Sequence, residues 1–233
     1  MNRVSLTPVY VLHRRPYRNT SLIVDFFSQQ HGRVSAVARS ARGPKSRYRG
    51  SLQPFVSMLA GWSGRGELKS LNDLELEGPP LHLTGKPLLC GLYLNELCLR
   101  LLQRDDPYPA VYQIYKITLE ALHGFQSIEQ SLRLFEIKLL NELGYGILLN
   151  CEAQSGVAIE ESQYYRFHPD LGFLKSSEKM SEDHLVFRGE SLLALHQEEL
   201  IDPLVLKDAK RLMRMVLSIH LGGKPIASRE LLK

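Results

Sequence analysis

The sequence predicts an α+β chain of more than one domain: an N-terminal five-stranded β-barrel, then an α-helical bundle that carries a small β-rich insert. Three observations predict it. The first 76 residues hold five short runs with apolar residues at every second position, separated by turn signals. At Gly78-Pro79-Pro80 the composition breaks, and beyond it the apolar period becomes 3.6. Residues 151–189 lose that helical period again and turn polar, with two short β-like pieces at 164–167 and 172–175. The boundaries that follow are 1–79 for the barrel, 80–150 with 190–233 for the helical domain, and 151–189 for the insert.

In the first part, residues 3–13 (RVSLTPVYVLH) alternate and are rich in β-formers, with Pro8 near a start or an edge. Residues 14–19 (RRPYRN) read as a basic turn around Pro16. The second strand, 20–28, puts Leu22, Val24 and Phe26 on one face. The third, 33–39, puts Val34, Ala36 and Ala38 on one side and Arg33, Ser35, Val37 and Arg39 on the other. Gly43-Pro44 breaks that run into a loop. A fourth strand is expected at about 52–61 and a fifth at 67–76, with a turn at Gly64 and Gly66. Five short strands at this spacing suit a small closed barrel or a sandwich. A five-stranded barrel that binds nucleic acid with its loops is the habit of the OB-fold.

In the helical part, Pro87 suits a first helical position, where its missing N–H costs nothing. Leu88, Leu89, Leu92, Tyr93, Leu97, Leu101 and Leu102 make that helix apolar on most sides, as a buried spine would be. The second helix is expected at about 107–123. The third, about 127–143, opens on Ser127 with Gln130 three residues on, a capping-box pattern. Leu132, Phe135, Leu139 and Leu140 form its stripe, and Gly144 closes it. A fourth helix is expected at about 189–199. Asp202-Pro203 starts a fifth, with Lys207, Lys210, Arg211 and Arg214 on one face, and Gly222-Gly223 ends it.

Charge is distributed unevenly. Of 29 Lys and Arg, ten fall in residues 1–50; of 25 Asp and Glu, only Asp25 does. Residues 32–54 alone carry Arg33, Arg39, Arg42, Lys45, Arg47 and Arg49 with no acid. Solubility alone is usually served by mixed charge, so this stretch points to a polyanion, and to nucleic acid first. The candidate phosphate contacts are Arg14, Arg15, Arg33, Arg39, Arg42, Lys45, Arg47 and Arg49, with Lys207, Lys210, Arg211 and Arg214 as an extension. Tyr17, Tyr48 and Trp62 lie among these charges, with base stacking or barrel packing as their two roles.

Catalytic motifs are missing. No phosphate-cradling GxxxxGK[ST], HExxH, GxSxG or paired acidic metal motif occurs. The eight histidines are scattered, and the three cysteines, Cys90, Cys98 and Cys151, form no CxxC pair. The expectation is a binding protein, not an enzyme, without cofactor or metal. Arg14 and Arg15 interrupt any signal peptide early, and no 18-residue apolar stretch occurs, so a cytoplasmic, nucleoid-associated protein without a membrane role is expected.

An ordered set of short segments resembles the bacterial RecO family of recombination mediators. They are Gly32-Arg33, Ala41-Arg42-Gly43, Leu52-Gln53-Pro54-Phe55, Gly64-Arg65-Gly66-Glu67, Gly91 to Leu97 (GLYLNEL), Leu143-Gly144-Tyr145-Gly146, Leu221 to Ile226 (LGGKPI) and Ser228 to Leu232 (SRELL). The resemblance implies an N-terminal OB-fold, a central helical domain and a small zinc-ribbon-like segment. It implies binding of single- and double-stranded DNA and ATP-independent annealing of complementary strands. With RecR, in the RecF pathway, it implies loading of RecA onto DNA covered by single-strand-binding protein (SSB). Some family members carry four cysteines after LGYG; here only Cys151 remains, too few for a tetrahedral zinc site. The family also binds the acidic C-terminal tail of SSB in its helical domain. Such a tail needs an apolar cleft and a cation, and Leu132 with Arg133 is the candidate here. The competing readings are an OB-fold RNA-binding or translation-associated protein and a nuclease assembled from distant residues.

Overall fold

A computed structural model of the protein describes residues 3–48, 50–124, 127–177 and 184–231. Arg49, among the candidate contacts above, lies outside them. Strands β1 (Arg3–Tyr17), β2 (Ser21–Ser28), β3 (Gly32–Ala38), β4 (Met58–Ser63) and β5 (Leu68–Leu76) close a barrel in the order β1-β2-β3-β5-β4, the OB-fold arrangement. Neighbours are antiparallel except β3 and β5, which pair in parallel. The alternation of the sequence decides what faces in: Val9, Val11, Val24, Phe26, Val34, Ala36, Met58 and Ala60 are buried in the barrel core.

Two strands differ from expectation. β1 does not stop at residue 13 but continues through Arg14–Tyr17, pairing Arg14 with Val24 and Tyr17 with Ser21. A bulge between Val11 and His13 bends it there, and Pro16 sits one residue from its end. The fourth strand starts at Met58, because residues 52–57 bury Leu52, Phe55 and Val56 outside the named strands; Phe55 takes a positive φ of 65°.

The outer face of β1 and β2 is covered as well. Helices α1 (Gly85–Leu101) and α2 (Pro109–His123) pack there. Tyr10 and Phe27 meet Tyr112 and Tyr115 in a cluster with centroid separations of 5.2–5.9 Å. Asn95 on α1 is buried, donates to the Leu12 carbonyl (2.9 Å) and accepts from the Tyr115 hydroxyl (2.5 Å). The segment after α1 lies along β3: Asp105 N–H donates to the Arg33 carbonyl (3.1 Å), and a Cβ at Gly32 (φ 62°) would collide with the Asp106 carbonyl. α1 begins at Gly85, two residues before Pro87.

The short helix α6 (Ala227–Glu230) returns to α1. Glu96 accepts from the N–H groups of Ala227 (2.9 Å) and Ser228 (2.8 Å) and from the Ser228 hydroxyl (2.7 Å). Arg229 donates to the Tyr93 hydroxyl at 2.8 Å. Barrel, α1, α2 and α6 thus make one compact unit, residues 1–126 with 226–233.

Residues 127–225 make the other. It holds α3 (Ile128–Glu142), a three-stranded antiparallel sheet ordered β7-β6-β8, α4 (Gly189–His196) and α5 (Pro203–His220). The strands are β6 (Tyr164–His168), β7 (Gly172–Ser176) and β8 (Val186–Arg188). Ser127 caps α3 through Gln130 N–H, and the Asp202 carboxylate caps α5 through Leu204 N–H (2.6 Å). Buried Asp208 on α5 joins three elements: it accepts from Arg188 (3.1 Å), Ser191 (2.7 Å) and Arg211 (3.1 Å). His220, expected on the apolar side of α5, is exposed and stacks on Tyr145 at 4.1 Å.

Candidate nucleic-acid interface

The barrel folds its basic residues toward one end. The register places the end of β1, the β1–β2 turn, the start of β2 and the end of β3 side by side: Pro16 faces Leu22, and Leu22 faces Ala38. The loop that follows β3 therefore rises from the same end. Arg14, Arg39, Arg42, Lys45 and Arg47 are all exposed there.

Their roles differ. Arg42 clasps the turn, donating to the carbonyls of Arg18 and Asn19 (2.8 Å each) and of Ser21 (3.3 Å). Arg14 donates to the Leu52 carbonyl at 3.0 Å. Arg47 donates to the Tyr48 hydroxyl (2.5 Å) and the Asn72 carbonyl, and lies over the Tyr48 ring at 4.8 Å. These three shape the loop while keeping their charge at the surface. Arg39 and Lys45 make no hydrogen bond or ion pair among the described residues and are free to meet phosphate. Arg15 is half-neutralised by buried Asp25 at 3.7 Å, which also accepts from Ser35 at 2.5 Å.

Arg33 stands apart. It lies at the other end of β3, half-buried, and its Nε donates to the Leu102 carbonyl at 3.2 Å. Burial, with Arg104 close by, lowers its guanidinium from the ordinary value. The structure gives it a tethering role within the barrel unit. The aromatic residues resolve too. Trp62 and Tyr48 belong to the barrel core, and Tyr48 donates to the Leu71 carbonyl. Tyr17 is half-buried beneath Arg18, whose guanidinium is 5.2 Å from the ring centroid. Arg18 itself, exposed at φ 49° in the β1–β2 turn, joins the basic end without having been singled out; its place beside Tyr17 in a turn was the signal available.

On α5 the four cations also divide. Arg211 is built into the fold, donating to the Val186 carbonyl (2.7 Å) and Asp208 and stacking on Phe187 at 4.1 Å. Lys210 pairs with Glu129 at 3.6 Å. Lys207 and Arg214 are exposed. On α3, Leu132 is buried, and Arg133 is only 8% exposed and ion-paired with fully buried Glu136 at 2.6 Å. A guanidinium so enclosed and neutralised is not presented to an incoming carboxylate.

Comparison with known proteins fits this architecture. The family model described as Recombination protein O N terminal matches residues 1–80, and Recombination protein O C terminal matches 82–230. The chain belongs to the RecO family. The DNA repair protein RecO of Coxiella burnetii (strain RSA 331 / Henzerling II) is 51% identical over 233 residues, covering 99% of this chain and 98% of that one. That of Nitrosococcus oceani is 45% identical over 99% and 94% of the two chains, and that of Methylococcus capsulatus 41% over 100% and 94%. As a RecO protein the chain serves DNA repair and recombination as a DNA-binding mediator and not as an enzyme. Among the described residues no helix is long and apolar enough to cross a membrane.

Proposed function

We propose that the chain anneals complementary DNA strands without ATP and, with RecR, loads RecA onto single-stranded DNA covered by SSB, at the nucleoid. The observation that carries this reading is the basic barrel end, where Arg14, Arg18, Arg39, Arg42, Lys45 and Arg47 gather with no acid between them in the chain except Asp25, which is buried. Two strands repel through their phosphates. A surface that neutralises several phosphates releases counterions and lowers that repulsion. Contacts to phosphate carry no sequence information, so the surface serves any strand and leaves bases open to pair. Lys207 and Arg214 are proposed as further contacts. The SSB tail is not assigned to Arg133, whose guanidinium Glu136 already occupies.

The test is annealing of complementary oligonucleotides, bare and SSB-coated, without nucleotide. The variant to compare is Arg39→Ala with Lys45→Ala, because neither side chain holds the loop. The variant loses annealing, and the slope of log binding constant against log salt becomes shallower by about 2, near one per phosphate released. A wild-type protein that neither binds nor anneals DNA at low salt would remove the reading.

A further inference from the structure

We propose that the loop end of the barrel contains a nucleotide-sized pocket, in which one unpaired deoxynucleotide of a single strand seats its base while its phosphates lie on Arg14 and Arg42. This rests on the reading above that the same surface binds DNA. The pocket has a volume of about 480 Å³, inside the range of roughly 300–1,000 Å³ usual for small-ligand sites. Its walls come from the end of β1, the start of β2, the loop after β3 and Leu52.

The lining divides by chemistry. Leu22, Ala41, Leu52 and Tyr48 supply the apolar part, and all four pack against the barrel core, so the walls are held from behind. Arg14 and Arg42 supply the cations, and no acidic residue lines the space. Both guanidiniums are fixed by backbone carbonyls: Arg14 through Nη1 to Leu52, Arg42 through Nε and Nη2 to the β1–β2 turn. Each keeps N–H groups beyond those bonds, since a guanidinium has five. A nucleobase is flat and weakly polar on its faces and suits an apolar slot. Its phosphates suit a planar, fork-shaped donor already held in place. A duplex holds its bases stacked and paired, so it offers none to the pocket without flipping one out. The pocket therefore separates single strands from duplexes on a surface whose cations attract both.

The full chain is titrated with a labelled oligothymidylate and with a hairpin duplex of equal phosphate number, at low salt, by fluorescence anisotropy. Ala41→Phe places a ring in the pocket and removes no charge; Ala41→Ser keeps the space open. The phenylalanine variant loses single-strand affinity by about tenfold, the worth of one stacked base, with duplex affinity unchanged, and the serine variant matches the wild type. Independently, an oligonucleotide carrying 5-iododeoxyuridine crosslinks the wild type within residues 41–48. Equal affinities for both strands in wild type and Ala41→Phe, equal losses on both strands, or crosslinks confined to other segments overturn the pocket while leaving DNA binding standing. A wild type that binds neither strand overturns the DNA-binding reading itself.

Discussion

Arg133 and Glu136, one turn apart on α3, are both buried and hold each other at 2.6 Å. Removing one charge leaves the other without compensation in a low-dielectric interior. Arg133→Ala is therefore expected to cost about 3–5 kcal/mol of stability, whereas replacing both residues by apolar ones of similar size is expected to cost far less. Urea unfolding followed by circular dichroism checks both; a single variant as stable as the wild type contradicts the pairing. The contrast with Arg39 shows how little residue type reveals. Both arginines stand beside apolar neighbours in the sequence, yet one is an internal counter-ion and the other an open cation. Cys98 follows the same logic among nucleophiles: complete burial pushes its thiol pKa up, so it stays protonated and serves as packing.

At the scale of elements, α6 depends on a single carboxylate. Burial of Glu96 raises its pKa, but the donors of Ser228, Ala227 and Arg100 outweigh burial and hold it below the ordinary value. A carboxylate depressed in the folded state contributes stability that is complete above its unfolded pKa. That contribution is lost as pH falls from the ordinary carboxylate range through the folded value. Glu96→Gln is expected to flatten the stability profile in this acidic window and to free α6 at neutral pH. Thermal melts of both proteins from pH 3 to 7 read this out; superimposable profiles contradict it. Elements of this kind differ in how readable they were. The inward faces of β2 and β3 and the caps at Ser127 and Asp202 follow from period and local chemistry, and they were legible. The extension of β1 through Pro16 needed its partner strand to be known. The tether of Arg33 to Leu102 needed the fold, because no local pattern ties residues 69 apart in the chain.

For the whole molecule, the basic end of the barrel was legible from charge alone, since ten cations against one acid in fifty residues survive any folding. Which of them are free was not, because carbonyl partners such as those of Arg42 come from turns that meet only in three dimensions. The division into compact units was equally hidden. α1 and α2 share the helical period of α3 and α5, but their apolar surface is satisfied by Tyr10, Phe27 and β1. Deleting residues 226–231 is expected to weaken the unit formed by the barrel, α1 and α2 and to spare residues 127–225. Hydrogen exchange resolved by peptide checks it: faster exchange in α1 with none in α5 is the expected outcome, and the reverse contradicts it.

The return of α6 to α1 also bears on how the protein is made. Chains leave the ribosome at roughly 5–20 residues per second, so the 99 residues between the two parts of the first unit take about 5–20 s to emerge. Throughout that interval the nascent chain has its barrel, α1 and α2 but lacks the partner of Glu96. The face of α1 that carries Tyr93 and Glu96 is then open to whatever else is nearby, such as a chaperone. The last step of assembly, joining residue 96 to residues 227 and 228, can occur only once the intervening unit has been synthesised.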